Sequence, residues 1–223
     1  MKTLLVAAAL VLLGSTSSAQ SFGIHAGGNL ASARVKADGS LFPIAPESKL
    51  GFLAGLVAEI PIAHSVNFRP ELNFIQKGYK ISFSEDFGTG TFAFDGKETL
   101  NYLEIPLNVT YSLPAGSNTV FLGAGPSLGM GLSGKSKLTS TQPGQPTTTE
   151  EEDTKFGGDE NEDDYKPLDL GLNIMGGFRF TNGFFLQLGY TFGLSNLAHD
   201  PESSYKNKGF AFSIGYFFSK TSE

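Results

Sequence analysis

Gly209-Phe210-Ala211-Phe212-Ser213-Ile214-Gly215-Tyr216-Phe217-Phe218 is the stretch on which the fold turns. Phe210, Phe212, Ile214, Tyr216 and Phe218 make one edge of an extended strand bulky and apolar, while Gly209, Ala211, Ser213, Gly215 and Ser219 keep the other edge small. Successive side chains of a strand point to opposite faces, so these are two faces of one sheet. A water-soluble sheet sets its apolar face against a core and fills the other with Lys, Glu and Thr. Here the second face is Gly, Ser, Asn and Ala. That inversion is the pattern of a transmembrane β-barrel, with lipid outside and a polar, tightly filled lumen.

The pattern recurs back along the chain and predicts eight strands. The first runs from about Ser21 to Ser32, with Phe22, Ile24, Ala26 and Leu30 outward; the second, about Lys49 to Ile62, carries Phe52, Leu56 and Ile60 outward and Gly51, Gly55 and Glu59 inward. The third sets Val66, Phe68, Pro70, Leu72 and Phe74 against Asn67, Arg69, Glu71 and Asn73. The fourth, about Asn101 to Leu113, sets Leu103, Ile105, Leu107 and Val109 against Tyr102, Glu104, Asn108 and Thr110. The fifth (about Thr119 to Ser133), sixth (about Pro167 to Phe180) and seventh (about Phe184 to Ser195) follow the same rule, and the opening stretch is the eighth. Pro70 and Pro126 cannot donate to a ladder, so a bulge or strand end is expected at each.

Connections alternate in length. Links after the second, fourth and sixth strands are tight, Asn182-Gly183 being a typical hairpin turn; links after the odd strands are long and polar. Outer-membrane barrels have short periplasmic turns and long extracellular loops, which puts both termini in the periplasm. Eight strands enclose a lumen wide enough only for side chains. A soluble lipocalin-like barrel or β-sandwich would share the strand count, but its second face would carry many charges.

Met1 to Ala19 reads as a signal peptide: Lys2, an apolar run from Leu4 to Leu13, then small residues with cleavage after Ala19. No other stretch approaches the roughly 20 apolar residues of a membrane helix. There is no Cys, which excludes disulfides, thiolate nucleophiles and Cys-ligated metals. The net charge is −6, and nine of the 22 acids fall between Glu150 and Asp164. Residues 139–164 are therefore expected to form a long, acidic, self-repelling and disordered extracellular loop.

By parity Glu59, Arg69, Glu71, Glu104, Asp169 and Arg179 face the lumen, where each carboxylate needs a guanidinium or amide partner. A structural plug is the main reading and a proton or solute path the alternative. Asp159, Asn161 and Asp163 have the first, third and fifth spacing of a calcium loop, yet Asp164 replaces its Gly and Leu170 its terminal Glu, so the cage is incomplete; a solvated polar loop is the main reading and loose divalent-ion binding between loop and lipopolysaccharide the alternative. Gly125-Pro126-Ser127-Leu128-Gly129 matches the G-x-S-x-G elbow formally but lies inside a strand, where that motif needs a strand-to-helix turn. Ser195, His199 and Asp200 are the one hydrolase candidate near the outer rim. No phosphate loop or basic aromatic stripe occurs, so no nucleotide or nucleic-acid partner is expected, and no cofactor.

Gly51-Phe-Leu-Ala-Gly-Leu-Val-Ala-Glu-Ile-Pro61, Phe68-Arg-Pro-Glu-Leu-Asn-Phe74, Tyr102-Leu-Glu-Ile-Pro-Leu107 and Gly123-Ala-Gly-Pro-Ser-Leu-Gly129 resemble the PorT-like outer-membrane β-barrel family. The resemblance implies a small integral outer-membrane protein, in a family named for a component linked to protein secretion and gliding. The expectation is thus an all-β, eight-stranded antiparallel transmembrane β-barrel over residues 20–223, an up-and-down meander with a closed narrow lumen. It is expected to be a monomeric, non-enzymatic structural or accessory component of an envelope or secretion assembly, in contact with outer-membrane lipid, lipopolysaccharide and an envelope protein partner. A small ligand- or solute-binding barrel is the alternative, and an outer-membrane lipid hydrolase comes after it.

Overall fold

The computed structural model describes residues 20–36, 46–86, 88, 90–200 and 202–218. The expected signal segment, residues 1–19, and residues 219–223 lie outside them. The strands are β1 (Ser21–Lys36), β2 (Lys49–Ala63), β3 (Val66–Asp86), β4 (Thr91–Ala115), β5 (Asn118–Thr141), β6 (Thr148–Thr154), β7 (Leu168–Arg179), β8 (Phe184–Gly193) and β9 (Ser204–Phe217). Eight of them close into an antiparallel hydrogen-bonded ring in the order β1-β2-β3-β4-β5-β7-β8-β9, with β9 returning to β1. The ninth, β6, stands outside the ring and pairs with the upper part of β5.

The ring is inside out relative to a soluble protein. Outward Leu56, Leu122 and Ile174 are 56%, 57% and 49% exposed, whereas inward Arg69 and Asn108 are fully buried. Such an apolar band is compatible with hydrocarbon, and a closed ring leaves no strand edge unpaired in it. The small inward residues admit the larger ones: a Cβ on Gly215 would overlap the Phe185 ring, and one on Gly177 the Phe121 ring. The tight turns follow the sequence reading. Gly183 has φ +92°, and at the turn after β2 Ser65 takes φ +62°.

Two expectations need correction. Pro70 and Pro126 mark neither bulges nor strand ends; both pair in register, Pro70 with Leu107 and Pro126 with Leu172. The register shifts lie at Pro61/Ala63 and Asn101/Tyr102. A missing N–H removes one ladder bond, which long neighbouring strands tolerate without slipping.

The second concerns 139–164, where residues 139–141 continue β5 and Thr148–Thr154 form β6 instead of a strand-free loop. Crossing hydrocarbon takes about 9–11 residues of strand, yet β3, β4 and β5 have 21, 25 and 24. Their surplus lies at the long-loop end, where with β6 they form a four-stranded extension of the ring wall. Like charges that would repel in a coil are matched across strands there. Lys135 faces Asp153 and Lys137 faces Glu151, the latter pair 2.8 Å apart, and Thr139–Thr149 and Thr141–Thr147 hydroxyls meet at 3.2 and 3.1 Å.

Candidate functional site

The lumen is filled by two layers of ion pairs. In the layer nearer the short turns, the Arg69 guanidinium is fully buried. It donates to Glu59 Oε2 at 3.2 Å and Gln187 Oε1 at 2.8 Å, and its Nε lies 3.6 Å from Glu71 Oε1. Arg179 donates to the other oxygen of Glu59 at 2.5 Å, and Gln187 donates to Glu71 at 3.0 Å. Phe121, Phe185 and Phe217 surround the guanidinium carbon at 4.4, 4.8 and 5.3 Å from their ring centroids. Two carboxylates and two guanidiniums balance, and the aromatic faces replace water around the buried cation.

The second layer lies nearer the long loops. Lys77 contacts Glu104 closely and donates to Asp169 Oδ2 at 3.0 Å. Asn207 donates to the same Asp169 oxygen at 2.9 Å, and the lysine ammonium stands 4.9 Å from the Tyr102 ring centroid. Leu53, Ile75, Leu100, Tyr102, Leu197 and Tyr205 pack around this layer, with Tyr79, Phe156 and Tyr165 against them. Phe156 meets Tyr102 edge-on at 5.3 Å and Tyr165 lies 4.6 Å from Tyr205, so the chain after β6 folds over the mouth.

Between the layers His25 reaches across Gly55 of β2 to join β1 to β3, and also bonds to the neighbouring β9. The Asn73 amide nitrogen donates to Glu71 at 3.0 Å, which leaves its carbonyl to accept from His25 Nε2 at 2.8 Å; His25 Nδ1 meets Ser213 Oγ at 3.1 Å. The space left is a cavity of about 40 Å³ lined by His25, Asn73, Lys77, Glu104 and Asp169 among others. That is enough space for water, which needs at least about 10–15 Å³.

All six lumen residues read from the sequence therefore face inward, but as two clusters: Glu59, Arg69, Glu71 and Arg179 in one, Glu104 and Asp169 in the other. Sequence reasoning missed Lys77, which holds the second cluster together, and also Gln187 and Asn207. Extending the parity of Glu71 and Asn73 through Ile75 reaches Lys77, so the signal was present.

The remaining candidates are placed differently. Asp159 Oδ1 accepts from the Asn161 backbone N–H at 3.0 Å, and Asp163 Oδ2 from that of Asp159 at 2.9 Å. These oxygens are used by a turn, and among the described residues no group of three or more His, Cys, Asp or Glu gathers to hold a metal. Ser195 Oγ accepts from the Leu170 N–H at 2.8 Å and lies 3.4 Å from Asp169 Oδ1, while Asp200 accepts from Ser203 Oγ at 2.9 Å. Ser195 and Asp200 are thus engaged separately. Gly125 to Gly129 lies within β5, facing Asn173 to Asp169 of β7.

Above the apolar band, Thr154 Oγ1 donates to the buried Glu98 carboxylate at 2.7 Å, tying β6 to the wall. Burial pushes the Glu98 carboxyl above its ordinary value, against smaller opposing hydrogen bonds from Thr154 and Ser136. The folded state thus binds this proton more tightly than the unfolded one. Its stabilising contribution is full at acid pH and is lost as pH rises through the raised value. Amide exchange in Thr148–Thr154, corrected for intrinsic rates, should accelerate from mildly acidic to mildly alkaline pH, and Glu98→Gln should flatten that dependence; an unchanged slope in the variant would remove Glu98 as its cause.

The chain is similar in fold to Neisserial surface protein A (14% identity, TM-score 0.44, covering 90% of this chain and 97% of that one). It is likewise similar to OprG of Pseudomonas aeruginosa (13%, 0.46, 90% and 96%) and to Ail, the attachment invasion locus protein of Yersinia pestis (18%, 0.38, 90% and 99%). No curated protein matches its sequence. The family rests instead on a sequence match across residues 18–199, which spans β1 to β8 and the wall extension. By that match the chain belongs to the outer membrane protein beta-barrel domain family, and its apolar band lies in an outer membrane.

Proposed function

We propose that this barrel is a non-enzymatic structural or accessory component of a cell-envelope assembly, working through what it displays outside the membrane. The observation that carries the reading is the pairing of a filled lumen with an ordered β3–β6 extension. A cavity of about 40 Å³ closed by two ion-pair layers leaves space for waters, not for a drug-sized ligand, which takes a pocket of roughly 300–1,000 Å³. The extension instead offers a rigid surface whose ordering cost is already met before a partner arrives. Within the family we place the chain among the PorT-like barrels, on the segments 51–61, 68–74, 102–107 and 123–129. A role in protein secretion is the finer form of the same proposal.

Affinity capture of tagged protein from gently solubilised native outer membranes tests it. The comparison is a variant in which residues 140–153 are replaced by a short Gly/Ser turn, leaving Phe156 and Tyr165 over the mouth. A stoichiometric envelope protein recovered with the intact chain and lost with the variant is the expected result. Recovery of the barrel alone from both would contradict an accessory role for the extension.

A further inference from the structure

Cationic side chains are distributed unevenly over the outer face of the ring. Every Lys or Arg with outward parity on the described strands lies at the long-loop end; the short-turn end has none. On β1 and β9 they crowd together. Outward Leu30 pairs with Phe210, and one pleat higher Ser32 pairs with Lys208. Above that Arg34 stands directly opposite Lys206, and Lys36 opposite Ser204.

Like charges placed opposite one another on a sheet face repel. A second row of facing cations, Lys80–Lys97–Lys137, runs across β3, β4 and β5, and there Lys137 is relieved from within the chain by its ion pair with Glu151. The β1–β9 cluster has no such relief: among the described residues none of Arg34, Lys36, Lys206 and Lys208 ion-pairs with a carboxylate. Lys206 Nζ donates to the Leu194 carbonyl at 2.8 Å, which fixes the ammonium without neutralising it. Lys208 and Lys206 lie two and four residues beyond Phe210, about 7 and 13 Å along the strand at roughly 3.3 Å per residue. That is the level of a lipid headgroup, not of open solvent.

We infer that Arg34, Lys206 and Lys208, with Lys36, form a binding site for the phosphate groups of a phosphorylated glycolipid in the outer leaflet. The inference rests on the outer-membrane placement and is independent of any protein partner. The neighbouring Leu30, Phe210 and Phe192 lie beside the acyl chains, while the guanidinium and ammonium groups take the phosphates by charge-assisted hydrogen bonds.

The test uses the full-length mature barrel in non-ionic detergent, with its folded state verified by heat-shifted electrophoretic mobility. Native mass spectrometry follows titration with bisphosphorylated lipid A, with the same lipid after enzymatic dephosphorylation, and with inorganic phosphate. Saturable binding of the phosphorylated lipid alone is expected. Arg34→Gln/Lys206→Gln should weaken it about thirtyfold, from roughly fivefold per charge near an anionic surface. The same number of charges removed by Lys135→Gln/Lys137→Gln should cost far less. Should the first pair fail to fold, Arg34→Gln alone, at an exposed position, is expected to lose about fivefold. Equal binding of the dephosphorylated lipid, or undiminished binding by the Arg34 variants, overturns the site. Inorganic phosphate binding as tightly as the lipid would make it a free-anion site and overturn the lipid assignment.

Discussion

Arg69→Ala is expected to leave most of the protein unable to reach the folded, heat-shiftable form in detergent or lipid. The substitution removes the partner shared by Glu59, Glu71 and Gln187 and opens a hole among Phe121, Phe185 and Phe217. Breaking a buried ion pair by deleting one partner costs about 3–5 kcal/mol, because the other charge stays behind without compensation. The lost ring packing adds to that. A net stability of about 5–15 kcal/mol for a typical folded chain leaves little margin. Urea titration of the refolded barrel, read by electrophoretic mobility, gives the number. Arg69→Met combined with Glu71→Gln should recover a good part of the loss, since it removes the stranded charge along with the cation and leaves Glu59 paired with Arg179. A single Arg69→Ala with a wild-type midpoint would show that the layer contributes nothing.

Lys77→Met is the second substitution of this size. Lys77 is the cation between Glu104 and Asp169, and Tyr102 lies beside it. With an apolar side chain of similar length in its place, two carboxylates face one small cavity, and the Asn207 amide and the Ser195 hydroxyl both donate to Asp169. The cost is again about 3–5 kcal/mol. Lys77→Met with Glu104→Gln and Asp169→Asn should refold far better than the single variant. Equal stability of the single and triple variants would mean that the three groups do not interact as one unit.

Both sites were partly legible in the sequence. Strict alternation inside the apolar band gave the eight ring strands and the inward parity of Arg69, Glu59, Glu104 and Asp169, because lipid on one side and a packed lumen on the other impose opposite chemistry on neighbouring residues. Beyond the band that contrast disappears. Gln76, Lys80 and Ser82 lie on the outer face while Lys77 and Tyr79 turn inward, so polar residues occupy both parities, and alternation marks the third strand only from Val66 to Phe74 although it runs to Asp86. Lys77 was lost with the missing part of that strand. The acidic run failed for a different reason: Thr148–Thr154 has little strand character alone and becomes a strand only because β5 brings Lys135, Lys137 and Thr139 opposite it. Such pairing is non-local, and no period within one segment reports it. Nor did spacing reveal that Asp159 and Asp163 spend their oxygens on backbone N–H groups.

The central claim is that the apolar face of the ring meets lipid while its other face is packed and shielded. Since the chain has no Cys, single Cys residues can be introduced from Phe210 to Phe217 and labelled with nitroxide in a reconstituted bilayer. Collision rates with oxygen, which partitions into lipid, and with a water-soluble nickel chelate are then read position by position. The expected result is a period of two: high oxygen and low chelate access at 210, 212, 214 and 216, and low access to both at 211, 213 and 215. High chelate access at the even positions, or no alternation at all, would contradict a lipid-facing apolar surface around a filled lumen.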